Sequence, residues 1–438
     1  MKASFLKELY SVFVSRVAVI AAGIGGAVVT ARYLGPEGNG VIAALMVYPS
    51  LFMTVGSLGI RQAAAYFVGQ QKYELQDIYG AVLAIWLVTS VFCVASSYLL
   101  IKFFTKGIYS ETLILLAVIA IPFSLYSTYS SGIFLGKQDI KEFNKINWIP
   151  AVLNFAFTFI LVAIVPLGVA GSMLGTFIGA AILPFFIANK IRKVAVIKPV
   201  FNGVIIKGML SLGIVYAISL LVTALNYKVD IILLNKYSTI SELGIYSKSV
   251  NIVQYLWEVP TLVSTIVFSR SVGAKDPQEI SRKVCRLLRF SSVIIIFASI
   301  LMFLLSPLII KVLFGAKFAG SVSVLNILLP GVLLLTVFKV LNMDIAGKGK
   351  PWLSMKAMVP AVIINIILNI LWVPGHGANG SAAASLVSYT FASLMFLYVY
   401  SKEVKMPIKD ILKFTSEDKE FARSYILKFT GKTVKHDS

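Results

Sequence analysis

The chain has 438 residues, of which 58% are apolar and only 13% charged, and a mean hydropathy of +0.87. That excludes a soluble domain: apolar runs of roughly 20 residues recur from Val12 to Tyr400 and read as transmembrane helices, without the short alternating strands of a barrel. The net charge of +21 comes from 40 Lys+Arg against 19 Asp+Glu. Much of the excess sits in short loops and the C-terminal tail, where it sets membrane orientation rather than nucleic-acid binding.

Met1 to Tyr10 carries Lys2 and Lys7 beside Phe5, Leu6 and Leu9, so 1–11 is expected to be an interfacial amphipathic segment. The first apolar run is too long for a cleavable signal and lacks a small-residue cleavage pattern. Spans are expected at 12–33, 40–68, 78–104, 112–135, 144–165 and 168–189, an N-terminal six-helix lobe over 12–189. The stretch 190–207, with Lys190, Arg192, Lys193, Lys198 and Lys207, is expected to be a basic cytoplasmic linker. Further spans are expected at 208–236, 243–269, 284–310, 320–346, 352–373 and 378–400, a C-terminal lobe over 208–401. The tail 402–438 is too short and too basic to span and is expected on the cytoplasmic membrane surface.

Loops after even-numbered spans carry Lys137, Lys141 and Lys145, then Arg282, Lys283, Arg286 and Arg289, then Lys348 and Lys350. The turns at 166–168 and 374–377 carry no Lys or Arg. The basic loops, and with them both termini, are therefore expected in the cytoplasm.

The segment from Arg32 through Tyr33 to Gly40-Val41 returns about 204 residues later as Lys236 through Tyr237 to Gly244-Ile245. Gly136-Lys137 matches Gly347-Lys348, Pro150-Ala151-Val152 matches Pro360-Ala361-Val362, and Gly171-Ser172 matches Gly380-Ser381. An ordered set of matches at a fixed period marks a duplication, and six spans between copies make the halves parallel repeats.

Ionisable groups inside a bilayer need a reason, because each costs about 2.5–3.5 kcal/mol at its centre. Arg16 and Arg61 lie in the first two spans without an evident intramembrane carboxylate. Snorkelling to the headgroups and a cationic pocket for an anion both account for Arg16; Arg61 lies deeper and points to the pocket. Ser219, Thr223, Asn226 and Asp230 fall within about 60° on one helical face, and Gly244, Lys248, Asn251, Tyr255 and Glu258 within about 80° on another. Both stripes are expected to face a cavity or each other. Asp230 and Lys248 lie at similar depth, which allows an ion pair. Glu258 sits deeper and suits proton or cation coupling, or stays protonated and hydrogen-bonded. Lys228 points away from the Asp230 stripe and, like Lys339, Asn342 and Asp344, is expected at an interface.

No Walker A loop, GxSxG or HExxH is present, and no acidic metal pair stands in an external loop. The two cysteines and two histidines make neither a disulfide framework nor a metal cluster. An enzyme is not expected, and no cofactor or metal.

The stretch Arg32-Tyr33-Leu34-Gly35-Pro36-Glu37-Gly38-Asn39-Gly40 resembles the R-x-L-G-P-x-x-x-G turn of Wzx-type oligosaccharide/polysaccharide flippases, the polysaccharide transporter family of the multidrug/oligosaccharidyl-lipid/polysaccharide (MOP) exporter superfamily. Lys228-Val229-Asp230 and Gly347-Lys348-Gly349-Lys350-Pro351 resemble the same family, and twelve spans in two sixes cover the chain. The resemblance implies an all-α integral membrane protein of MATE-like (MOP) fold around a central cavity. It implies alternating-access transfer of an undecaprenyl-pyrophosphate-linked oligosaccharide to the outer leaflet of the bacterial inner membrane, for surface polysaccharides such as O-antigen. Under it, Arg16, Arg61 and Lys248 would contact pyrophosphate, and Asn226, Asn251, Gln254 and Tyr255 the sugars. Asp230 and Glu258 would couple to H+ or Na+, with membrane lipids and polysaccharide polymerase machinery as further partners and no nucleic acid. The alternatives are a multidrug/cation antiporter of the same superfamily and a non-transporting scaffold for polysaccharide synthesis.

Overall fold

The computed structural model describes residues 2–105, 109–137, 139–193, 195–271, 276–418 and 420. About half of the expected surface tail, 421–438, lies outside the described residues. The described chain is helical, and glycine and proline decide where each helix turns back.

Helix α1, Lys2–Gly56, is interrupted at Gly35 (φ 64°, ψ −172°). Only glycine adopts that φ freely, and Pro36 starts the returning arm, where its missing N–H costs nothing. The expected interfacial opener is thus continuous with the first crossing from Lys2 onward. The returning arm breaks again at Leu58 (φ 43°) and Gly59 (φ 63°) and resumes as α2, Ile60–Gln70. Then come α3, Leu75–Phe104, α4, Glu111–Gly136, and α5, Ile140–Phe159, which ends in a π-turn over Ile160–Ile164. Helix α6, Gly168–Ile191, follows the positive-φ Gly168.

The second half repeats this plan. Helix α7, Gly203–Tyr237, starts on the Asn202 side chain, which accepts from the N–H groups of Val204 and Ile205. Helices α8, Ile240–Leu256, and α9, Glu258–Ser271, share one crossing bent at Trp257. Helix α10, Pro277–Leu313, and α11, Ser321–Gly347, are followed by α12, Met355–Val404, which is broken at Gly377 (φ 51°). A short α13, Ile408–Leu412, begins the tail. Among the described residues eight helical stretches are long and apolar enough to cross a membrane, and those at Val14–Gln70 and Pro351–Val404 are long enough to cross twice through their glycine breaks. With α5 and the α8–α9 pair, the described residues provide helices for twelve crossings, six on each side of the 192–202 connection.

Within the first half α4 packs on α2, α3, α5 and α6; within the second α11 packs on α8, α9, α10 and α12. The halves meet where α1 lies along α8 and α7, and where α2 touches α7. The contact is closest at glycine: a Cβ on Gly40 would strike the carbonyl of Ile240, and one on Gly244 the carbonyl of Pro36. Similarly, a Cβ on Gly213 would strike the carbonyl of Leu58. On the opposite, basic face, the tail folds against α10: Arg286 and Arg289 both donate to the buried Asp418, and Arg289 also to the carbonyls of Asp410 and Ile411.

Candidate functional site

The seam between the halves holds a partly open cavity of about 490 Å³, walled by α1, α5, α6, α7 and α8. At the turn face it ends near Asn39, whose side-chain amide donates to the carbonyls of Thr30 (2.8 Å) and Gly35 (2.6 Å) and ties the two arms of α1 together. At the basic face it ends near Arg16 of α1, which forms an ion pair with Glu258 at the start of α9. The expected absence of a carboxylate partner for Arg16 is therefore corrected. The partner is supplied by the other half, 242 residues away, and local sequence could not show it.

Lys248 lies on the cavity wall, 4% exposed. Its ammonium donates to Thr30 Oγ1 (2.7 Å) and the Ala27 carbonyl (3.1 Å), and stands over the Phe314 ring. Asn251 and Gln254 line the same wall one and two turns on. Tyr255 follows, its hydroxyl close against Gly23, where a Cβ would come within 2.9 Å. The stripe on α8 therefore faces α1 and the cavity along its length.

The stripe on α7 does something else. Ser219 bonds to Ser354 (2.7 Å), and Asn226 to Ser388 (2.8 Å). Asp230, fully buried, accepts from Tyr246 (2.8 Å), Ser385 (2.6 Å) and Asn369 (2.9 Å). Asn226 and Asp230 thus lie inside the second half, between α7 and α12, and off the cavity wall. Asp230 and Lys248 form no pair. Because the stripe turns inward, the opposite face of α7 meets the cavity, and it carries Tyr227, Lys228 and Ile231. The expectation of an interface position for Lys228 is corrected accordingly: it lines the cavity and has no ion-pair or hydrogen-bond partner among the described residues. The ammonium of Lys339 lies 4.5 Å from the Trp257 ring and 5.4 Å from that of Tyr227.

Arg61 opens into a second chamber of about 300 Å³ inside the first half, bounded by Ser124, Ser127, Thr128, Asn154 and Thr176. Close backbones place it there: a Cβ on Gly132 of α4 would strike the Arg61 carbonyl, and one on Gly136 would lie 2.8 Å from that of Ala65. The guanidinium has no ion-pair or hydrogen-bond partner among the described residues, and the Ser127 hydroxyl is buried without one. Ala151 and Asn154 of α5 wall both chamber and cavity. Together the two spaces hold Arg61, Lys228 and Lys248 and, among the described residues, no carboxylate. A space lined by cations in low-dielectric surroundings favours anions over cations.

Fold and cavity together define a multi-pass membrane protein of MOP-like fold. The protein-family model for polysaccharide biosynthesis proteins matches residues 29–323, and the chain belongs to that family. A probable low-salt glycan biosynthesis flippase of Haloferax volcanii, Agl15, is 23% identical over 189 residues, which is 40% of this chain and 38% of that protein. The chain therefore matches well under half the length of that relative. Among solved structures, the lipid II flippase MurJ in an inward closed conformation has a TM-score of 0.74 at 19% identity, covering 97% of this chain and 93% of its own. An inward-facing MATE multidrug transporter also reaches 0.74, at 14% identity, covering 88% of this chain and 94% of its own. At these identities the two structures speak for the fold.

Proposed function

We propose that this protein is a flippase that carries an oligosaccharide on an undecaprenyl pyrophosphate from the cytoplasmic to the outer leaflet, by alternating access. The observation that carries the reading is the cationic, carboxylate-free lining of the cavity and the Arg61 chamber. Family membership and the likeness to Agl15 support the lipid-linked glycan. In this reading the basic face lies in the cytoplasm, an orientation supported by the Lys and Arg excess of its loops.

In this reading Arg61, Lys228 and Lys248 bind the pyrophosphate, because phosphate oxygens need donors where water is excluded. Asn251, Gln254 and Tyr255 face the sugars. Arg16 and Glu258 act as a closing pair at the cytoplasmic end of the seam: substrate phosphate competes for Arg16, and Glu258 is freed as α1 and α9 part. Asp230 couples transport to an ion. Its fully buried carboxylate has three donors and no cation beside it among the described residues, a setting in which binding H+ or Na+ relieves uncompensated charge.

The test is translocation in sealed vesicles, comparing a short pyrophosphate-linked prenyl oligosaccharide with a cationic dye. The flippase reading expects movement of the glycolipid alone. Dye transport without glycolipid transport identifies a cation antiporter and overturns it.

A further inference from the structure

The α5–α6 seam holds a separate space at the basic face. Gly171, Gly175 and Gly179 stand one turn apart on α6. A Cβ on Gly175 would come within 2.6 Å of Thr158 Oγ1, and one on Gly179 within 2.9 Å of the Asn154 N and 3.0 Å of the Pro150 carbonyl. The two backbones therefore touch along this stretch. Past Gly179 the positions facing α5 become Ile182, Leu183, Phe186 and Ile187, and the helices part around a groove of about 540 Å³. Leu183 and Ile187, 2% and 3% exposed, are its floor, and Phe186, 62% exposed, is its lip.

Charge collects at the open end. Lys145, Lys190 and Lys193 stand there with one carboxylate, Glu142, which pairs with Lys145 at 2.9 Å and Lys190 at 2.5 Å. Lys193 has no acidic partner among the described residues. The mouth therefore keeps an excess of positive charge. From Gly179 to Lys190 the helix rises roughly 16 Å at about 1.5 Å per residue, close to the depth of one leaflet, about 15 Å.

We propose that this groove is a binding site for one anionic phospholipid of the leaflet beside the basic face. An acyl chain lies on Leu183 and Ile187, and the headgroup phosphate meets Lys190 and Lys193. Three features select that occupant: apolar walls, a cationic mouth at headgroup level, and a blind end at Gly179 one leaflet deep. A long prenyl chain needs an open far end, which the Gly179 contact denies it. The site stands apart from the transport cavity and does not depend on what that cavity carries.

Native mass spectrometry of the full chain, taken from nanodiscs of phosphatidylcholine mixed with phosphatidylglycerol, tests the site. We expect one retained lipid, with phosphatidylglycerol favoured about tenfold, equivalent to about 1.4 kcal/mol. Lys190→Gln with Lys193→Gln, both at exposed positions, removes the preference. Ile182→Trp fills the groove and removes the retained lipid whatever its headgroup. As a second readout, phosphatidylglycerol raises the melting temperature of the wild type in phosphatidylcholine but not that of the double variant. Equal retention of the two lipids by the wild type overturns the proposal, as does an unchanged preference in the double variant. In nanodiscs that also contain undecaprenyl phosphate, its retention in place of phosphatidylglycerol overturns the proposal as well.

Discussion

Gly40 and Gly244 pack reciprocally across the seam: Gly40 lies against the carbonyl of Ile240, and Gly244 against that of Pro36. Each contact is the repeat-mate of the other, because both pairs share the period of the sequence duplication. The turn motif is thus a self-complementary closure that two copies of one sequence make with each other.

A side chain at either glycine should open this closure. Overpacking of this kind costs about 1–3 kcal/mol. We expect Gly40→Val to shift the protein toward a form open at the turn face. A cysteine placed at Asn39, now 4% exposed, should then react about tenfold faster with a membrane-impermeant maleimide, with buried Cys93 and Cys285 changed to serine. An unchanged rate would show that the seam does not open there.

Arg16 and Glu258 should be exchangeable. Their side chains are 37% and 27% exposed, so screening limits the pair to about 1 kcal/mol. Arg16→Glu and Glu258→Arg should each slow transport, and the two combined should recover it if the role is closure. If Arg16 is needed only for direct phosphate contact, the reversed pair stays inactive.

Asp230→Asn should remove ion dependence and some stability together. The new amide nitrogen would face donor groups from Tyr246 and Ser385 or from Asn369, at a cost of about 1–3 kcal/mol. Thermal melting against sodium concentration and pH measures both effects. Wild type should be stabilised by one of the two ions and the variant by neither. An identical ion response in the variant would remove Asp230 from coupling.

The tail clamp should resist acid. Burial opposes the charge on Asp418, but the Thr415 N–H and the Arg289 and Arg286 guanidinium groups outweigh it and hold the carboxyl down to about 2. An ordinary aspartate titrates near 3.9. A lowered folded value gives stability that is complete above about pH 4 and is lost as pH falls toward 2. Hydrogen exchange over 408–418 should therefore stay slow from neutral pH to about 4 and rise below it. Asp418→Asn should be fast already at neutral pH.

Membrane class, span positions and the duplication were legible in the sequence because they rest on hydropathy, glycine and proline. The α8 stripe was legible too, since helical periodicity alone aims Lys248, Asn251 and Tyr255 at one face. Periodicity does not say which neighbour a polar face meets. The α7 stripe of Asn226 and Asp230 found its partners on α12, more than a hundred residues on, and that turned Lys228 toward the cavity. The Arg16–Glu258 pair depends on the same non-local docking. Arg61 was recognisable as an intramembrane cation, but its placement depends on the close approach of α2 to Gly132 and Gly136 of α4, whose spacing reads equally well as ordinary helix packing.

The most direct test of the cationic site is binding of a water-soluble, short-chain prenyl pyrophosphate to purified protein, measured by calorimetry for wild type and for Arg61→Gln, Lys228→Gln and Lys248→Gln. Each cation lost from a dehydrated phosphate site should cost about 1.5–3 kcal/mol, a drop of roughly tenfold or more in affinity, while affinity for a cationic dye stays absent. Unchanged pyrophosphate affinity in all three variants would contradict the site.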